Sequence, residues 1–197
     1  MTIVDIDTFT SYIRDEIGAT GKPLTLQALN AAESYVQQYC ARSFALATGT
    51  ATARIFGPPA MQESFTVLRV DDIASTTGLI VSNYGTTISS NDYQLEPLNG
   101  KDASGLGVPY TQIRLLSSTW TTNVMRATAT ITADWGWPAV PSLVSQAILL
   151  LGKDYVQNRD TKFGFAETSV GAVSGSRNWL VMNMLARFRR TESFGIG

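Results

Sequence analysis

The chain of 197 residues contains no histidine and one cysteine, Cys40. Without histidine no Ser-His-Asp or Cys-His pair can exist, and a zinc site would need carboxylates with a lone thiol. A single cysteine excludes an intrachain disulfide, and its place in an apolar-patterned helix reads as a buried structural thiol. Charge is scarce as well: charged residues make up 16% of the chain, against about 25% in an average soluble domain. The net charge of −1 gives no general signal for a polyanion partner. The acids are scattered, and the adjacent pair Asp71-Asp72 reads as an exposed turn rather than a catalytic dyad. Neither a phosphate-binding glycine loop nor an acidic calcium loop occurs. No cofactor, metal site or enzymatic activity is expected. Long hydrophobic runs are missing too: Ala147–Leu151 is far too short to span a bilayer, so no membrane partner is expected. Met1–Asp5 carries an early acid and no apolar run, so the expectation is a soluble protein made in the cytoplasm, without a signal peptide.

What is present centres on one stretch, Met125 to Arg159. From Met125 to Asp134 apolar and polar residues alternate, the period of a strand with one buried and one wet face. Trp135-Gly136-Trp137-Pro138-Ala139-Val140-Pro141 then forbids the strand to continue. The two tryptophans are read as sealing a packed junction rather than forming an exposed ligand platform. From Ser142 to about Asn158 the period becomes helical, with Leu143, Ala147, Leu150 and Leu151 on one face and Val144, Ile148 and Tyr155 beside it.

Before this joint, Asp7 is the expected N-cap of a short helix through Ile17, striped by Phe9, Ile13 and Ile17. A second helix, from about Thr25 to Arg42, would bury Leu26, Leu29, Ala32, Val36 and Tyr39/Cys40 and turn Gln27, Glu33, Gln37 and Gln38 outward. From Ala45 helical period disappears. Short strands are expected over 50–56, 65–70, 79–82, 93–96 and 112–116, with a hairpin connection at Asn83-Tyr84-Gly85-Thr86 and an aperiodic loop over 97–109. After the central helix, Asp160–Ser176 reads as a long flexible loop. Arg177–Arg190 returns to helical period through Leu180, Met184 and Phe188, with Arg187, Arg189 and Arg190 suited to the negative helix end. The expected fold class is α+β: a helical bundle of two N-terminal helices, one long central helix and one C-terminal helix, with an inserted small antiparallel β-domain. The segments are N-terminal helices 1–48, β-domain 49–137, central helix 138–160, loop 161–176, and C-terminal helix and tail 177–197.

Three places in this order resemble the head–tail connector (adaptor, or head completion) proteins of long-tailed bacteriophages. They are the alanine-rich helix Leu26–Phe44 ending in Arg42-Ser43-Phe44, the joint Ala133–Leu143 with Ala147, Tyr155 and Arg159, and the close Leu185-Ala186-Arg187-Phe188-Arg189-Arg190. The resemblance implies a structural adaptor in a homo-oligomeric ring, usually of twelve copies, at the head–tail junction of a virion assembled in the bacterial host cytoplasm. Its partners would be the portal protein and a stopper or tail-completion protein, with genomic DNA passing through the lumen without sequence-specific binding. Residues expected at the portal or subunit interface are Arg159, Lys162, Phe163, Arg177, Trp179, Met184, Arg187, Phe188, Arg189 and Arg190. The C-terminal helix is expected to dock on the portal or a neighbouring subunit rather than on its own chain. The alternative is a monomeric module whose β-domain binds a carbohydrate or peptide.

Overall fold

Asp5, not Asp7, starts the first helix: its Oδ2 accepts hydrogen bonds from the backbone N–H groups of Asp7 (3.0 Å) and Thr8 (3.3 Å). Helix α1 therefore begins two residues earlier than expected and runs Ile6–Ile13. The structure, a computed structural model, describes residues 3–13, 22–57, 65–101, 105–121, 129–158 and 179–190. The expected helical residues 14–17, the strand start 125–128, the loop 160–176 and the tail 191–197 lie outside these. The chain divides into two units, one formed by residues up to Phe44 with Val140–Glu192, the other by Ala45–Ala139.

The first unit is helical. Helix α2 spans Lys22–Cys40, α3 spans Ser142–Asn158, and a further helical stretch, α4, covers 179–186. On α2 the buried stripe is Leu29, Ala32, Val36 and Cys40, while Leu26 is exposed. Glu33, expected to face outward, is buried, because its Oε1 accepts the backbone N–H groups of Ile3 (2.7 Å) and Val4 (2.9 Å). A carboxylate is tolerated there because backbone donors replace its water. On α3 the buried set is Val144, Ala147, Ile148 and Leu151. Leu143 and Tyr155 are partly exposed, so the core stripe is rotated by one residue from the sequence reading. Gly152 sits where α1 crosses α3: a Cβ there would lie 2.9 Å from the Phe9 ring, so only glycine lets that fully buried ring approach.

The same one-residue rotation appears on α4. Val181, Leu185 and Phe188 are buried, whereas Leu180 is exposed and Met184 is half-buried. The expectation that this segment docks away from its own chain is overturned. Phe188 packs edge-to-face on Phe44 at 6.0 Å, and the Arg190 N–H donates to the Cys40 carbonyl at 2.9 Å. The Arg42 guanidinium donates to the Phe188 carbonyl (3.3 Å) and the Tyr39 hydroxyl to that of Met182 (3.5 Å).

The second unit is an antiparallel sheet of six strands: β1 (Thr52–Phe56), β2 (Val67–Asn83), β3 (Thr86–Thr87), β4 (Tyr93–Glu96), β5 (Tyr110–Leu115) and β6 (Ala129–Trp135). Their order is β1-β6-β2-β5-β4, and β3 pairs with the end of β2 through the Tyr84-Gly85 hairpin. Helices plus this sheet make the chain α+β. The two strands expected over 65–70 and 79–82 are one long strand, β2, which pairs with β5 at its start and β6 at its end. Register shifts bend it, and residues 76–79 lie opposite Ala133 alone. The Asp71-Asp72 pair is thus not a turn. Asp71 reaches Arg54 at 2.6 Å in an exposed ion pair, and Asp72 is buried. Leu68, Val70, Ile73, Val81, Ile113, Leu115, Ala129, Ile131, Ala133 and Trp120 form the core. The indole N–H of Trp120 donates to the Thr66 carbonyl at 3.1 Å.

Within this unit the entering and leaving chains are clasped. The Trp137 N–H donates to the Ala45 carbonyl (2.9 Å), and the Ala47 N–H donates to the Trp137 carbonyl (3.1 Å). Gly136 takes φ +132°, and a Cβ there would stand 2.7 Å from the Ala45 oxygen. Trp137 is fully buried, and its indole N–H donates to Asp72 Oδ2 at 3.1 Å. Asp134, also buried, accepts the Gly49 N–H at 3.1 Å. Of the two readings for the corner, burial favours packing over a ligand platform for Trp137. Trp135 is half-buried beside Phe56, with Arg54 stacked at 4.6 Å from its ring centre.

Candidate functional site

The residues expected at an interface separate into distinct environments. Arg159, Lys162, Phe163 and Arg177 lie outside the described residues. Trp179 is 67% exposed at the start of α4. Phe188 belongs to the core of the helical unit, which leaves it no free surface to offer a partner. Arg189 and Arg190 reach the end of α2, at Tyr39 and at the Cys40 carbonyl, and Arg187 lies over Phe188. The Arg187 guanidinium lies 5.4 Å from the Phe188 ring centre and that of Arg189 lies 5.6 Å from the Tyr39 ring centre, both cation–π distances. Burial pushes the nearby Cys40 thiol up to about 11, although Arg42 and Arg189 pull it down. A buried, protonated thiol is a poor nucleophile, so Cys40 has a packing role.

Two further surfaces, which the sequence reading did not single out, expose apolar side chains. The first lies between α2 and α3, a groove of about 230 Å³ lined by Leu24, Gln27, Ala28, Ala31, Tyr155 and Val156. Leu24 is 47% exposed and Tyr155 36%. Burial, then neighbouring Tyr35 and Asp154, raises the Tyr155 hydroxyl pKa. The signal was present in the sequence: Leu24, Ala28 and Ala31 follow i, i+4, i+7 beside the core stripe of α2. The second surface is one face of the sheet. Ile55 stands opposite Thr130, which stands opposite Ser82, which stands opposite Thr87; in the next row Ala53, Thr132 and Ile80 line up. Cross-strand partners share a face. None of these seven side chains is charged, and Ile55 and Ile80 are well exposed.

Neither surface holds a set of groups suited to chemistry. Among the described residues no three His, Cys, Asp or Glu side chains gather where a metal could be held. No helix among them is long and apolar enough to cross a membrane.

The arrangement has a counterpart among solved structures. A chain in the neck of an empty gene transfer agent particle, computed with C6 symmetry, matches over 98% of this chain and 93% of its own length, with TM-score 0.52 and 19% identity. The two share a fold. A chain in the virion of a native gene transfer agent particle matches over the same shares, with TM-score 0.51 and 18% identity. No protein-family model matches the sequence, and no curated protein does. At such identity the likeness concerns the fold, and it agrees with the resemblance to head–tail connectors carried by the sequence. It embraces both the helical unit and the sheet unit, since nearly the whole of each chain is covered.

Proposed function

We propose that this chain is a structural head-to-tail adaptor of a tailed, phage-like particle. Copies form a ring of twelve beneath the portal, extend the DNA channel and join the head to a stopper or tail-completion protein. The protein works at the head–tail junction through its surfaces and performs no catalysis. One observation carries this reading: the fold is shared over nearly its whole length with a chain in a particle neck. The six-fold symmetry of that neck supports a cyclic arrangement, and a ring of twelve accommodates a six-fold axis. The uncharged sheet face and the apolar α2–α3 groove add support, because protein interfaces are depleted in charge at their centres. In a ring Trp179, exposed at the start of α4, is the described interface residue best placed to meet a neighbour, whereas Phe188 serves the fold.

The test is deletion of the gene from a producing phage, followed by microscopy and complementation. Filled heads and unattached tails should accumulate, and purified protein should restore joining. Normal particles from the deletion strain, or absence of the protein from purified necks, would overturn the proposal.

A further inference from the structure

The helical unit carries both halves of a contact that it does not make with itself. On α4, Trp179 is 67% and Leu180 47% exposed, while Val181 is buried. At about 100° per residue Trp179 points roughly opposite to Val181, so the helix that anchors α4 in its own core must aim the indole away from it. The other half is the groove of about 230 Å³ between α2 and α3. That volume lies below the ~300–1,000 Å³ of sites that hold small-molecule ligands, and it suits one or two inserted side chains. Leu24, Ala28, Ala31 and Val156 give it apolar walls, and Gln27 and Tyr155 add only neutral polar atoms. A charged segment or a nucleic-acid phosphate would lose its water there without compensation. A neutral aromatic knob fits this lining, and Trp is the residue that most often fills such pockets at the centre of protein contacts.

We propose that the groove receives Trp179, with Leu180 beside it, from a second copy of this chain. A knob and a groove on different elements allow either a reciprocal two-fold pair or a heterologous contact, and the ring selects the second: each copy gives its indole to one neighbour and takes one from the other. Contacts of that kind repeat and close into rings when the rotation allows, whereas a two-fold contact stops at a dimer. The inference rests on the ring reading above, and specifies which surfaces make the ring.

Cysteine cross-linking of the full chain tests it. Cys40 is fully buried and does not compete. Asn183→Cys, one helical turn from the indole, and Ala31→Cys are both at exposed positions, so neither should impair folding, and Trp179 itself is kept. Oxidation is run on concentrated protein and on necks purified from particles built with the variants. Mixing the two single variants should give a cross-linked dimer and nothing larger. The doubly substituted chain should give a ladder of dimer, trimer and higher species, and each single variant alone should stay monomeric. Independently, Trp179→Ala should weaken self-association at least tenfold in ultracentrifugation while leaving the melting temperature unchanged. Necks that contain the protein but show no cross-link, or self-linking of Ala31→Cys alone, would overturn the proposal and leave the adaptor function standing. If the protein is absent from necks the adaptor function fails, and the ladder in concentrated protein decides this contact by itself.

Discussion

The two units of this chain hold their cores by different means. In the helical unit, stability comes from stripes of apolar side chains, and the buried Glu33 ties only the first residues of the chain. In the sheet unit, two buried strand carboxylates hold the flanking chain: Asp72 of β2 takes the Trp137 indole N–H, and Asp134 of β6 takes the Gly49 N–H. Apolar stripes can shift phase by a residue and still pack, because burial free energy has no direction. Buried polar groups cannot shift, because each needs its partner at hydrogen-bond distance and geometry. The helical unit is therefore the more forgiving of the two, and the sheet unit is pinned at a few points.

The largest test of this contrast is at Trp137. Trp137→Ala should cost about 3–5 kcal/mol in urea denaturation, through the lost ring and the cavity it leaves. Trp137→Phe keeps most of the ring and removes the indole donor; it should still cost about 1–3 kcal/mol, because buried Asp72 loses that bond. An effect of Trp137→Phe below about 0.5 kcal/mol, the usual range of surface changes, would break the comparison.

A smaller effect is expected at the helix crossing. Gly152→Ala should gain up to about 1 kcal/mol of helix propensity but push on the Phe9 ring, at a cost of about 1–3 kcal/mol. A net loss of roughly 1 kcal/mol should appear in the native background. In a Phe9→Ala background the same substitution should become stabilising. Equal effects in both backgrounds, measured as a double-mutant cycle, would show that the ring approach does not dictate the glycine.

The smallest effect concerns Cys40. Its folded pKa is raised to about 11 from an ordinary 9.0, chiefly by burial. A raised folded pKa means that the thiol favours the folded state fully below the unfolded pKa, and that this contribution is lost as pH rises from about 9 to about 11. The melting temperature should fall more steeply over that window in the native protein than in Cys40→Ala, and parallel curves would remove the thiol from the account.

The same contrast explains what could be read from the sequence. Helical period located α2, α3 and α4, and alternation located β6, because periodicity is a local signal. The stripes on α3 and α4 were right at Ala147, Leu151 and Phe188 and one residue off at Leu143 and Leu180. Leu143 and Val144 are both apolar, as are Leu180 and Val181, and only the neighbouring elements decide which turns inward. The Asp71-Asp72 pair misled for a different reason. Asp is rare in strands, and the partner that makes Asp72 tolerable there, Trp137, is 65 residues away in sequence. For the surfaces, sequence identified Trp179 as an exposed candidate but placed Phe188 beside it. It passed over the α2–α3 groove, because a second apolar stripe next to a core stripe looks like more core until both helices are packed.

The clasp between Ala45–Ala47 and Gly136–Trp137 has a consequence for chain entropy. A flexible excursion of this length would charge the flanking helices for bringing its ends together, a penalty that grows with the logarithm of its length. Here the hydrogen bonds at the neck of the excursion close that loop locally. A sheet unit with other strand lengths could occupy the same position without altering the entropy of joining α2 to α3. The length of the insert is thereby uncoupled from the stability of the helices that flank it in sequence, and size changes in the sheet become thermodynamically silent to them.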